Sequence, residues 1–195
     1  GEVQLTGFYA DFIEDTLAGE AVFAPVMDFL GELLLRPRLE DGCFVREYVE
    51  SEKRNLANAI ASRVNDKRTY ATGQLVKTMC AGEAYAVPRL GELEDVEPVT
   101  PEGLYAQYRM VLAESRVELF YMGRKSAGDV AEQLRRVLRE LPRAAAFEAV
   151  GTEKQCAAGD VRRVEERMDV TQGKLSMGFT TGCTAGEADY PALLV

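Results

Sequence analysis

The sequence predicts an α+β chain, an α/β sandwich in which an antiparallel or mixed sheet carries helices on one face. Three observations predict it. Apolar residues recur at helical spacing in successive blocks from Phe23 to Leu141. Two runs, Val117–Met122 and Lys174–Thr181, have strand-type sequence. Between these runs, residues 143–160 lose any sustained period, which predicts a linker. The expected organisation is therefore one domain region over residues 1–142, a linker over 143–160, and a second domain region over 161–195.

The elements follow in order. Residues 3–14 favour a strand, with Phe8, Ala10 and Phe12 on one side. Gly19-Glu20 opens a helix whose apolar face runs through Phe23, Val26, Met27, Leu30, Leu33 and Leu34, and Pro37 stops it. Asp41-Gly42 is a turn. A second helix spans Phe44 to Val64, with Phe44, Tyr48, Leu56, Ile60 and Val64 on a common face. Asn65-Asp66 ends it and caps the next helix, which carries Tyr70, Val76 and Met79. Residues 82–91 form a loop. Thr100-Pro101-Glu102 has the three marks of a helix start: an N-cap side chain, proline at the first helical position and an acid in the first turn.

Val117–Met122 reads as a buried strand ended by Gly123. Ser126 caps a helix with Val130, Leu134, Val137, Leu138 and Leu141 on one stripe, closed by Pro142. Beyond the linker, Val161–Val170 and Lys174–Thr181 read as strands, with Leu175, Met177 and Phe179 alternating against polar neighbours. Gln172-Gly173 breaks the two pieces or forms a bulge. Residues 187–195 read as the first turns of a helix.

Composition removes whole classes of function. The 195 residues contain no histidine, so histidine general-base chemistry, the Ser-His-Asp triad and the common histidine zinc sites are absent from this chain. The net charge of −9 argues against a nucleic-acid surface. The cluster Arg135, Arg136 and Arg139 is interleaved with Glu132 and Glu140 and reads as a solvated helix face. Cys43, Cys80, Cys156 and Cys183 lack C-x-x-C spacing and read as buried small hydrophobes in a reducing compartment. With neither a membrane-spanning stretch nor a signal peptide in the sequence, the expected location is the cytoplasm. The chain begins without Met and stops at Leu194-Val195, and both ends read as cut.

Three further groups have bland readings. Gly123–Gly128 lies between a strand-like run and a helix, where a phosphate loop would sit, but Gly128 is followed by Asp129 rather than Lys. Tyr70, Tyr85, Tyr105 and Tyr108 read as core residues whose hydroxyls reach the surface. Among Glu47, Glu50 and Glu52, only Glu52 lies near the apolar face, one turn after Tyr48 and one before Leu56. It is a possible structural or site-adjacent acid, with Lys53, Arg54 or a base from another helix as its partner.

The run from Phe44 to Leu56 and on to Ile60 resembles the helix that follows the catalytic helix in the insulinase/pitrilysin family of zinc peptidases, which includes the mitochondrial processing peptidases. The resemblance continues in order through Asn65-Asp66-Lys67 with Tyr70-Ala71, Met79, Glu83-Ala84-Tyr85-Ala86, Gly91 and Thr100–Tyr105 with Tyr108. Val117–Gly123 is similar to the closing strand of that family's first domain, and Val170–Leu175 to the opening strands of the next. Each piece is short; their order and spacing carry the resemblance. It implies a metalloprotease-like sandwich of the processing-peptidase (LuxS-like) type, with residues 1–142 the C-terminal part of a first such domain, 143–160 a linker, and 161–195 the beginning of a second, similar one.

In that family an inverted H-x-x-E-H motif on an early helix and a glutamate on a later helix hold zinc. The histidine motif is absent here. The resemblance puts the later glutamate seven residues after Glu52, at Ala59, with Asn58 and Ile60 beside it. Seven residues are two helical turns, so position 59 shares a face with Glu52, and a methyl group cannot ligate a metal. The resemblance therefore implies a noncatalytic bacterial branch, with no catalytic residue, no metal ligand and no cofactor in this chain. It also implies a sister peptidase-family subunit and an extended peptide as partners, and neither nucleic acid nor membrane. Two alternatives stay open: a fragment of an active zinc peptidase whose metal-binding segment lies outside this chain, and a pure interaction scaffold.

Overall fold

The computed structural model describes residues 6–143, 160–184 and 186–194. In chain order the elements are α1 (Asp15–Ala18), α2 (Phe23–Leu35), β1 (Leu39–Glu40), β2 (Cys43–Phe44), α3 (Arg46–Ser62), α4 (Lys67–Met79), α5 (Pro101–Glu114), α6 (Ala127–Val137) and α7 (Tyr190–Leu193). Short 3-10 turns occupy Arg63–Asn65, Ala84–Ala86 and Leu93–Asp95. The class is α+β: helix-rich, with β1 and β2 paired antiparallel, Leu39 opposite Phe44 and Glu40 opposite Cys43. The chain divides into two compact units, and the division falls within α3, between Glu52 and Lys53.

The first unit holds α1, α2, the hairpin, the start of α3, α5 and α6. Its core is Phe23, Met27 and Val130, against which Phe12, Val26, Leu30, Tyr121, Leu134 and Val137 pack. Burying each such side chain contributes about 1.5–3 kcal/mol. Phe23 meets Tyr121 edge-on at 5.4 Å. The helical stripes expected on α2 and α6 are the ones that meet, and Gly31 allows the closest approach, since a Cβ there would strike the Cγ1 of Val137. Phe44 sits edge-on to Tyr105 at 5.3 Å and to Tyr108 at 5.6 Å. The Tyr108 hydroxyl donates to the Leu34 carbonyl at 2.6 Å, tying α5 to the last turn of α2.

The expected caps are in place. Asp66 accepts from the backbone N–H groups of Arg68 and Thr69, Thr100 from that of Gly103, and Ser126 from that of Asp129. The Asp41-Gly42 turn closes the hairpin with φ of 51° and 80°, the left-handed pair that matches strand twist. α2 starts by a different device from a local cap. Its N-cap residue, Val22, lacks a capping side chain, and Asp15 of α1 accepts from the N–H groups of Val22 and Phe23 instead.

The strand expectations are corrected. The described part of 3–14, Val117–Met122, Val161–Val170 and Lys174–Thr181 form no ladder among the described residues. Val117–Met122 is also not buried: Phe120 is 91% and Met122 99% exposed. A strand needs a partner edge for its N–H and C=O groups, and these runs find none among the described residues. The second helix begins at Arg46, and its buried positions are Val49 and Ile60, while Tyr48 and Leu56 are exposed. Cys43, Cys80 and Cys183 are free and half-buried rather than buried. Cys156 and residues 144–159 of the expected linker lie outside the described residues.

Candidate functional site

Ala59 and Glu52 both lie on α3, and both side chains are exposed. Ala59 offers a methyl group, and its backbone carbonyl accepts from the Ser62 hydroxyl at 2.9 Å. The resemblance to zinc peptidases can be tested against these residues. There is no imidazole anywhere in the sequence, and no cluster of three or more Cys, Asp or Glu able to hold a metal occurs among the described residues. Among the described residues no donor set fits a zinc ion.

The second unit contains the rest of α3, α4 and the described residues from 160 onward. Ile60 and Val96 are its buried apolar side chains. Arg63 bonds the Gly91 carbonyl at 3.1 Å and pairs with Glu92 at 3.7 Å, and Lys77 pairs with the same carboxylate. Lys53 donates to the Glu97 carbonyl at 2.8 Å. These contacts pin the loop after α4 against the helices and leave one face of α4 to a different neighbour.

That neighbour is the extended chain of 161–179. Between it and α4 lies a groove of about 730 Å³, lined by Tyr70, Leu75, Val164, Leu175, Met177 and Phe179 among others. The size is that of a site for a small molecule or a short peptide segment. The Tyr70 hydroxyl donates to the Glu166 carboxylate at 2.9 Å, and Arg162 bonds the Thr78 carbonyl at 2.9 Å. The bond to Glu166, with partial desolvation, raises the Tyr70 phenol above its ordinary range. Gly178 closes the far end: a Cβ there would stand 2.7 Å from the Met79 sulfur and 3.3 Å from Leu75.

The groove was not expected from the sequence. Its signals were present separately, in the alternation of Leu175, Met177 and Phe179 and in the apolar face of α4. Nothing local joins them. Of the four tyrosines read as core, Tyr108 has its hydroxyl on a backbone carbonyl, Tyr70 lines the groove and Tyr85 is exposed. The Gly123–Gly128 turn is held through Lys125, which pairs with the Asp15 carboxylate at 2.7 Å and lies over the Phe23 ring.

No protein-family model matches the chain. Over 171 residues, 87% of its length, the chain is 32% identical to the protein named "Probable inactive metalloprotease YmfF" of Bacillus subtilis strain 168. It spans 39% of that relative's length. Among solved structures it is similar to that of a conserved protein from Enterococcus faecalis V583, with a TM-score of 0.63 and 28% identity over 70% of this chain and 32% of the other. None of the described helices is long and apolar enough to cross a membrane.

Proposed function

We propose that the chain is a portion of a noncatalytic, cytoplasmic subunit of insulinase/pitrilysin type that binds extended peptide and pairs with an active sister zinc peptidase. In this reading residues 1–142 belong to a first processing-peptidase-like sandwich domain, 143–160 link, and 161–195 begin a second such domain. The observation that carries it is Ala59: the position where the resemblance implies a metal-binding glutamate bears an exposed methyl group on α3. The similarity to a protein named a probable inactive metalloprotease supports the noncatalytic part of the reading. The longer protein would then contribute walls and binding surface to a peptidase assembly, and the bond-breaking metal would belong to the sister chain.

The test is metal analysis and peptide hydrolysis on the longer protein, purified alone and together with a sister peptidase-family chain. The expected result is no stoichiometric zinc and no hydrolysis when alone, with the sister chain co-purifying. Stoichiometric zinc with hydrolysis by the protein alone would assign it to the active peptidases. Failure to retain either the sister chain or any extended peptide would reject the binding role.

A further inference from the structure

We infer that the groove between α4 and residues 161–179 selects an extended peptide in which acidic residues alternate with apolar ones. The inference rests on the peptide-binding reading above and names the kind of peptide.

Shape comes first. Leu175, Met177 and Phe179 recur at period two on an extended segment that lines the groove, on the side opposite Gly178, whose added Cβ would meet Leu75 and Met79 of α4. Leu175 is 81% and Phe179 79% exposed. Apolar side chains repeating every second residue are complementary to a ligand that is itself extended. The backbone adds to this. Residues 161–179 form no ladder among the described residues, so their N–H and C=O groups are available to an added strand.

Charge decides the sequence of that strand. The chain carries a net charge of −9, yet the groove is lined by four basic residues, Lys67, Arg162, Arg163 and Lys174, against two acids, Glu165 and Glu166. Both acids are engaged, Glu166 by the Tyr70 hydroxyl and Glu165 by Arg163 at 3.2 Å. Lys67, Arg162 and Lys174 donate to neutral oxygens of Val64, Thr78 and Gln172. Their positive charge is therefore not cancelled locally. Screening over about 10 Å confines the repulsion of the acidic remainder of the surface, so the basic lining governs what enters. An acidic residue at every second position would reach these cations while its apolar neighbours fill the stripe.

The experiment is fluorescence anisotropy on the full chain with two labelled ten-residue peptides, one alternating Glu with Leu, Val and Phe, the other with Lys in place of Glu. The acidic peptide is expected to bind at least tenfold more tightly at low salt, and to weaken as salt is added. Lys67→Glu with Lys174→Glu, the two lysines that donate only to neutral oxygens, should lower its affinity about tenfold while circular dichroism stays unchanged. Equal binding of the two peptides, or an affinity unmoved by the double variant, would overturn the inference. So would a concentration-dependent dimer, lost in the double variant, with neither peptide bound, because the groove would then hold a second copy. Absence of peptide binding together with absence of zinc and hydrolysis removes this inference and leaves the noncatalytic reading standing. Hydrolysis of a bound acidic peptide does the reverse.

Discussion

The Asp15 carboxylate meets the Lys125 ammonium at 2.7 Å, while its other oxygen accepts the N–H groups of Val22 and Phe23 at 3.0 and 2.8 Å. One side chain thus caps α2 and fastens the turn before α6. These partners, Lys125 first and the two backbone donors next, hold the Asp15 carboxyl down at about 2. A depressed carboxyl stabilises the fold fully above its unfolded value of about 3.9 and loses that contribution as pH falls toward the folded value. Asp15→Asn is therefore expected to lower the melting temperature at pH 7, and the gap to the parent chain should close between about pH 4 and 2. A gap that persists at pH 2 would show that the ion pair is not its source.

Gly31 and Val137 give a packing prediction. Glycine within a helix is ordinarily worse than alanine by about 1 kcal/mol, so Gly31→Ala in α2 would stabilise an isolated helix. Here the new methyl would meet Val137 of α6. Overpacking costs about 1–3 kcal/mol, and net destabilisation in urea unfolding is the expected outcome. Val137→Ala in the same chain should recover most of the loss, a coupling that a double-mutant cycle measures directly.

Thr100 offers a local test of helix capping. Its hydroxyl accepts the Gly103 N–H at 3.1 Å, ahead of Pro101 at the first helical position. Thr100→Ala should cost about 1 kcal/mol, and Thr100→Ser or Thr100→Asp should restore it. Urea denaturation of the three variants provides the comparison.

Tyr70 reports on the groove. Its phenol is raised by the hydrogen bond to Glu166, and a raised folded value means that stability falls as pH climbs above about 10. Tyr70→Phe should flatten that alkaline slope and remove one high-titrating phenol from the ultraviolet titration. Loss of a phenol that titrates at the ordinary value of about 10 would instead place the hydroxyl in water rather than on the carboxylate.

What was legible in the sequence was local. Asp66, Thr100 and Ser126 cap helices because a cap joins residues two or three apart, and the chain alone states that geometry. The stripes of α2 and α6 were legible for the same reason. The Asp41-Gly42 turn carried the signal of a hairpin, but strands of two residues are too short to show alternation. Asp15 acting on Val22 and Phe23 joins positions seven and eight apart, outside any cap motif. The strand-like runs failed for a different reason: alternation describes one chain, whereas a ladder requires a second. The candidate site divided likewise. Ala59 was reached by resemblance, and its exposure on α3 could not be. The groove of α4 required contacts between residues about 100 positions apart, such as Tyr70 with Glu166, which no periodicity encodes.

The bare run Val117–Met122 bears on how the protein behaves as a colloid. Its edge, unpaired among the described residues, and the side chains of Phe120 and Met122 offer copies of the chain a sticky template, and mutual repulsion at net charge −9 opposes their meeting. That repulsion vanishes near the sequence pI of about 4.8 and is screened in strong salt. Clouding and thioflavin-positive precipitate should therefore set in close to that pH, well above the acid range in which Asp15 is protonated, so acid titrations of this chain call for dilute protein and low ionic strength.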